Sequence, residues 1–256
     1  MSIPKIIHYC WFGRNPKPEL AEKCIKSWKK YCPDYEIREW NEDNFDVDSA
    51  PLYVRQAYEA KRWAFVTDYV RLKALTEMGG VYMDTDVEVI KPLDPYLKHE
   101  GFVGFEHPQR VQTGLMACRK DFPLFVEFLR HYDDASFLNP DGTPDITTNV
   151  EVLTNLCVRH GLELNDQYQV VDGLAVYPRE VFCPVDYDTM KLKKTRKTVV
   201  IHWFSGSWHT EEERRQMEEE KLRQKREKAS NLRYAIGNRL FGEQGYEKLK
   251  SILKRH

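Results

Sequence analysis

Apolar residues run almost unbroken from Ile3 to Trp11 and stop at Gly13, the pattern of a strand buried on both faces of a sheet. The next stretch, "NPKPELAEKCIKSWKKYCP", opens with prolines, continues in helix formers and closes at Pro33, so it predicts a helix. "DYEIREW" follows as a short second strand, and the order β, α, β implies an open, largely parallel α/β sheet with helices on its faces. From Pro51 to Met78 a helix is expected, and from Trp63 onward it is apolar almost all round, interrupted by Asp68 and Arg71. Gly79 and Gly80 end it, and Val81 to Met83 begin a strand. Beyond lie strand patterns in "EGFVGFE" and "TGLMACRK", a helix in "FPLFVEFLRHY", a turn-rich "NPDGTPD" and a helix in "TNVEVLTNLCVRHG". "AVYPREVFCPV" and "KTVVIHWFSGSW" read as further strands, with prolines suited to strand ends.

After Trp208 the pattern changes, which predicts one domain over 1–210 and a helical tail over 211–256. Residues 211–220 hold six Glu against two Arg, and residues 221–256 hold 11 Lys or Arg against three Glu. Leu232, Ile236 and Leu240, then Leu249, Ile252 and Leu253, fall at helical spacing, so this basic amphipathic end suits either an anionic membrane surface or packing on the domain. The whole chain carries a net charge of −1, without the basic excess that non-specific nucleic-acid binding needs. None of the six cysteines forms a CxxC pair, and "MSIPKIIHYCWFG" is neither a secretory leader nor a membrane span, so the expected location is cytoplasmic, peripheral to the inner face of the membrane.

Chemistry concentrates in "EMGGVYMDTDVEVIKPL", where Asp84, Asp86 and Glu88 occupy alternate positions. Alternate strand residues lie roughly 6.6 Å apart and point the same way, so a slight bend lets two carboxylates share one divalent ion at about 2.1 Å from each oxygen. Hard oxygen ligands select Mg²⁺ or Mn²⁺, the latter if an imidazole joins them. A solvated acidic strand explains the pattern as well. Asp68 and Arg71 read equally as an intrahelical ion pair, Trp11 as a core indole, and His202 in "IHWFSGSW" as a hydrogen-bonded core histidine.

Taken together, "IPKIIHYCWFG", "WAFVTDYVRLKALTEMGGVYMDTDVEVIKPLD" and "IHWFSGSW" resemble the retaining glycosyltransferase family whose sugar-binding region contains the DXD motif. That family includes bacterial capsular-polysaccharide transferases and the yeast enzyme that initiates mannan outer chains, and the clostridial glucosylating toxins are similar. The resemblance spans about residues 3–210 and implies a GT-A fold, a nucleotide-sugar donor and a divalent cation. It matches Asp84 and Asp86 to the DXD, His202 to a metal-completing histidine, and Trp11 to the base-stacking aromatic. Asp68 and Arg71 match the pair that holds the donor sugar and diphosphate, and Trp208 a tryptophan near the β-phosphate. Where many relatives have Thr-Gly-Pro this chain has Thr148, Asn149 and Val150, so Asn149 is the acceptor-side candidate.

A departing nucleoside diphosphate needs cations held ready where its charge develops, which assigns catalysis to Asp84, Asp86 and Arg71. Glu106, Asp145 and Glu151 are undistinguished as nucleophiles, so same-face attack by the acceptor hydroxyl is expected. The function expected is hexosyl transfer from a sugar nucleotide, UDP-linked by preference, to a glycan or lipid-linked acceptor in capsule or surface-polysaccharide synthesis. An inactive sugar-nucleotide or membrane binder of the same fold is the alternative. An aspartyl phosphatase fits worse, since its DxD sits on the first strand and Glu88 fills a place where such enzymes have Thr or Val.

Overall fold

In the computed structural model, residues 2–206 are described, together with Arg215, Glu219, Arg223, Arg226, Glu227, Tyr234, Ile236 and Arg239, all helical. Trp208 and the rest of the 211–256 extension lie outside the described residues. The chain divides into two compact units, Met1–Ser205 and Gly206–His256, and every element named below belongs to the first.

The first unit is an α/β domain built on one large sheet with helices packed on its faces. In chain order its elements are β1 (Ile6–Cys10), α1 (Glu19–Tyr31), β2 (Glu36–Trp40), α2 (Leu52–Glu59), α3 (Trp63–Met78), β3 (Gly80–Met83), β4 (Val87–Val89), β5 (Gly101–His107), β6 (Arg110–Val111) and β7 (Leu115–Cys118). There follow α4 (Pro123–Arg130), α5 (Asn149–Arg159), β8 (Gln169–Val171), β9 (Leu174–Tyr177), α6 (Arg179–Phe182), β10 (Val185–Asp186), β11 (Lys191–Leu192) and β12 (Val200–His202). The main sheet runs β2-β1-β3-β7-β5-β9-β8, with β6 paired to β5. β1 is parallel to β2 and β3, and β5 to β9, whereas β7 opposes both its neighbours and β8 opposes β9, so the sheet is mixed.

Strand alternation sends successive side chains to opposite layers. On β3 and β7, Val81, Met83, Leu115 and Ala117 join the core around Trp28 and Phe182, while Tyr82, Met116 and Cys118 join the one around Val70, Leu75 and Phe125. Burying each such large side chain contributes about 1.5–3 kcal/mol.

Two expectations are corrected. The helix expected over 51–78 is two helices, because the chain reverses at Lys61, with φ 56°. There the Arg62 N–H donates to the Ala57 carbonyl at 2.8 Å and the Lys61 N–H to that of Tyr58 at 2.9 Å, the pattern of a helix stop. Likewise, Asp84, Asp86 and Glu88 do not share one strand. β3 ends at Met83, Asp84 to Asp86 form a turn, and Glu88 lies on β4, which leaves the main sheet to pair antiparallel with β12.

The double glycine is required by close approach. Gly79 (φ 68°) closes α3 and Gly80 (φ 115°) opens β3, and a Cβ on Gly80 would lie 2.7 Å from the Ile6 carbonyl oxygen. Beneath them buried His8 accepts from the Trp40 indole at Nδ1 (3.2 Å), which leaves Nε2 to donate to the Gly79 carbonyl (2.9 Å).

Candidate functional site

The acidic turn is held from three sides by backbone hydrogen bonds. The Asp84 N–H donates to the Gly114 carbonyl at 2.8 Å and the Val87 N–H closes the turn onto the Asp84 carbonyl at 3.0 Å. From beyond β12, the Trp203 N–H reaches the Asp86 carbonyl at 3.1 Å and the Ser205 N–H reaches Asp86 Oδ2 at 2.8 Å. His202 closes β12, with Nε2 3.4 Å from Asp86 Oδ1. One ligand atom each from Asp84, Asp86 and His202 lie within 4.8 Å of one another. Two carboxylate oxygens and an imidazole nitrogen suit Mn²⁺, and buried His202 Nδ1 lacks a hydrogen-bond partner, so the residues present fit a divalent ion.

Gly114 makes room for this cluster. A Cβ there would stand 2.7 Å from His202 Cε1 and 3.1 Å from Asp84 Oδ2. Phe204, itself at φ 51°, lies over the imidazole with ring centroids 4.1 Å apart. Burial drives the Asp86 carboxyl up, but the charged His202 and the Ser205 N–H outweigh it and hold the group well below the usual carboxylate range. Burial likewise pulls His202 down, and Asp86 overrides it and raises the imidazole well above its ordinary value.

A second network meets Asp84 from α3. Buried Arg71 donates from Nε to the Thr67 carbonyl (3.2 Å), from Nη1 to the Thr113 carbonyl (2.8 Å) and from Nη2 to Thr67 Oγ1 (3.2 Å). It also pairs with Asp68 at 3.0 Å and Asp84 at 3.3 Å, over the Tyr82 ring. Three of its N–H groups thus donate inside the protein, and the guanidinium is flanked by two carboxylates. The Tyr82 hydroxyl donates to Asp84 Oδ1 at 2.8 Å, fixing the carboxylate from the other side. Burial pushes the Asp68 carboxyl up to about 7 against the pull of Arg71.

The remaining candidates scatter more widely. Continuing the β1/β3 register, Ile7 beside Val81 and His8 beside Tyr82, brings Trp11 level with the acidic turn. Its indole N–H donates to the Asn15 carbonyl at 2.6 Å, and the Lys17 ammonium lies 5.7 Å from the ring centre. Asn149, in the first turn of α5, joins the network indirectly: Thr113 gives its carbonyl to Arg71 and its hydroxyl to Asn149 Oδ1, 2.7 Å away. Asn149 Nδ2 is buried without a partner. Glu88 is elsewhere, accepting from the Trp203 indole and Lys23, each at 2.9 Å. Glu106, half-buried on β5, is pushed up to about 7 by burial despite His202 and Arg110. Tyr82, Thr113, Gly114 and Phe204 escaped the sequence reading, although Tyr82 lies two residues before Asp84 and the Thr113-Gly114 pair just ahead of β7. A cavity of about 560 Å³ lined by Tyr96, Tyr168, Tyr177 and Arg196 contains none of the site residues.

Residues 18–103, which include Asp68, Arg71, Asp84 and Asp86, match the family model described as "Glycosyltransferase sugar-binding region containing DXD motif". That match covers about a third of the chain. The chain is 30% identical over 143 residues to inositol phosphoceramide mannosyltransferase 3 of Schizosaccharomyces pombe, an alignment covering 53% of this chain and 39% of the relative. It is 28% identical over 146 residues to mannosyl phosphorylinositol ceramide synthase SUR1 of Saccharomyces cerevisiae, covering 53% and 37%. The chain therefore spans well under half the length of these relatives. Among solved structures, the PaToxG glycosyltransferase aligns at 17% identity over 62% of this chain and 69% of that one, with a TM-score of 0.47. No helix among the described residues is long and apolar enough to cross a membrane.

Proposed function

We propose that this protein is a metal-dependent glycosyltransferase moving a hexosyl unit from a sugar nucleotide to a hydroxyl of a glycan or lipid-linked acceptor, with retention at the anomeric carbon. The observation that carries this reading is the convergence of His202 on Asp84 and Asp86, the two carboxylates of the segment that matches the DXD family model. When bound, a divalent cation supplies positive charge against the diphosphate that departs from the sugar. Asp84 and Asp86 hold that ion with His202, Trp11 stacks on the nucleotide base, and Asp68 accepts from sugar hydroxyls. Trp208 is assigned to the β-phosphate and Asn149 to the acceptor side. Arg71 is a positioning residue: buried between Asp68 and Asp84, it sets the carboxylates and adds a fixed positive charge behind them. The six free, buried cysteines support a reducing, cytoplasmic setting, and a role in capsule or surface-polysaccharide synthesis follows from the resemblance alone.

A UDP-linked donor is our first choice, and the mannosyl names of the two yeast relatives make GDP-mannose the alternative to set beside it. UDP-glucose, UDP-galactose, UDP-N-acetylhexosamines and GDP-mannose are to be screened for Mn²⁺-dependent hydrolysis and transfer, with Asp86→Asn as control. One donor should turn over, and the variant should lose about 10²–10³-fold. Turnover of GDP-mannose alone would replace the UDP preference and keep the site. Tight nucleotide binding with no turnover of any donor would make the protein a binder without catalysis.

A further inference from the structure

The segment between α6 and β12 is strongly basic. Residues 187–197, "YDTMKLKKTRK", hold five cations, Lys191, Lys193, Lys194, Arg196 and Lys197, against one carboxylate, Asp188. Two of the cations are matched, Lys193 to Asp186 at 3.6 Å and Lys197 to Glu180 at 2.7 Å. Among the described residues, none pairs with Lys191, Lys194 or Arg196. A sixth cation, Lys91, is tied to this loop by donating to the Arg196 carbonyl.

Apolar side chains stand out to solvent in the same segment. Tyr187 is 45% exposed, Met190 47% and Leu192 42%, on a two-stranded hairpin that the main sheet does not cover. Hydrogen bonds close its turn, where Asp186 Oδ1 accepts from the Thr189 N–H at 3.0 Å and its hydroxyl at 2.6 Å, and the Met190 N–H donates to the Asp186 carbonyl at 2.7 Å. A soluble surface gains nothing from holding apolar groups outward on an ordered turn among lysines. Bilayer headgroups reward both halves: cations meet anionic lipid, and apolar side chains enter between headgroups.

We propose that the β10–β11 hairpin and the basic loop behind it dock on an anionic lipid bilayer, Met190 and Leu192 inserting and Lys191, Lys194 and Arg196 facing the headgroups. The hairpin is also coupled to the metal-site cluster. Tyr187 packs edge-on against Phe204 at 5.2 Å between centroids, and Phe204 lies over His202 at 4.1 Å. Docking therefore sets the cluster close to the lipid surface, where a lipid-anchored acceptor presents its hydroxyl. The docking surface itself does not depend on which donor the site uses.

Co-sedimentation of the full chain with phosphatidylserine-rich and with pure phosphatidylcholine vesicles tests this. Binding to the former should exceed binding to the latter and fall steeply between about 0.05 and about 0.5 M salt. Lys191→Gln, Lys194→Gln and Arg196→Gln together should weaken it by about fivefold per cation removed. Met190→Ser with Leu192→Ser should weaken it several-fold at any salt, while the charge-preserving Lys191→Arg with Lys194→Arg binds like the parent. Unchanged melting and Mn²⁺ binding show that the variants are folded. No vesicle binding by the parent chain, or full binding by the triple Gln variant, overturns the proposal. Loss in the Gln variant with none in the Ser pair overturns it in favour of a soluble polyanion.

Discussion

Gly114 shows how tightly single residues constrain the site. Its carbonyl accepts from the Asp84 N–H, and the volume a side chain would fill there is taken by His202 and Asp84. Overpacking of that kind costs about 1–3 kcal/mol, relieved by shifting whichever neighbours yield. Here they are two of the three metal-ligand candidates. Gly114→Ala should therefore weaken Mn²⁺ binding, followed by calorimetric titration, about tenfold or more; unchanged affinity would remove His202 from the ligand set. The same residue marks the limit of sequence reading. Asp84 and Asp86 were legible because carboxylates two apart after a double glycine are chemically conspicuous. Thr113 and Gly114 were not, because their importance lies in a carbonyl and in an empty volume, and neither leaves a mark on residue type. Arg71 was legible as the partner of Asp68 but not in its other contacts. The spacing from Asp68 showed a pair, whereas the spending of its donors on Thr67 and Thr113 depends on how α3 meets the loop before β7.

At the scale of elements, the break between α2 and α3 stores strain. Lys61 adopts the left-handed conformation that costs a non-glycine residue about 1–2 kcal/mol. Lys61→Gly should raise the denaturant midpoint by about 0.5 kcal/mol equivalent with the slope unchanged, after the extra freedom of glycine in the unfolded chain is set against the relief. Glu59, Ala60, Lys61 and Arg62 are all helix formers, with no glycine or proline to mark the stop, which is why one helix was expected. β6, β8, β10 and β11 were missed for a related reason: two or three residues are too few to display a period. A second element-scale prediction concerns the end of α5. His160 caps it with Nδ1 2.6 Å from Asp172 and Nε2 3.1 Å from Glu127 on α4. Those two carboxylates, Asp172 first, raise its pKa above the ordinary value against a small burial effect. A raised histidine stabilises the fold fully below its unfolded value near 6.5, and the contribution fades as pH climbs through the higher folded value. His160→Gln should therefore destabilise at about pH 5.5, by some tenths of a kcal/mol for so exposed a pair, and much less at about pH 8.5 in urea titrations. A deficit that grows with pH would reverse the assignment.

For the whole molecule, strand direction was the hardest feature to read. Local pattern gives the existence of β7 but not its antiparallel insertion between β3 and β5, which is fixed by how far the chain travels between them. That insertion has a consequence for function. It carries Gly114 to the end of β3, beside the turn where Asp84 and Asp86 meet His202 from the end of the first unit. All described members of the site, and both hydrophobic cores, lie within Met1–Ser205. The described site residues then belong to that unit, and a chain stopped after Thr210, which retains Trp208, should unfold as one cooperative transition. It should bind Mn²⁺ within about twofold of the full chain, since no ligand candidate is removed. Vesicle binding divides differently: loss of the basic 211–256 segment should weaken it, and a remainder sensitive to Lys191→Gln should persist through the hairpin. Calorimetry and co-sedimentation on the two chains read these separately. Abolished metal binding in the shorter chain would show that the boundary near Thr210 cuts through the functional domain.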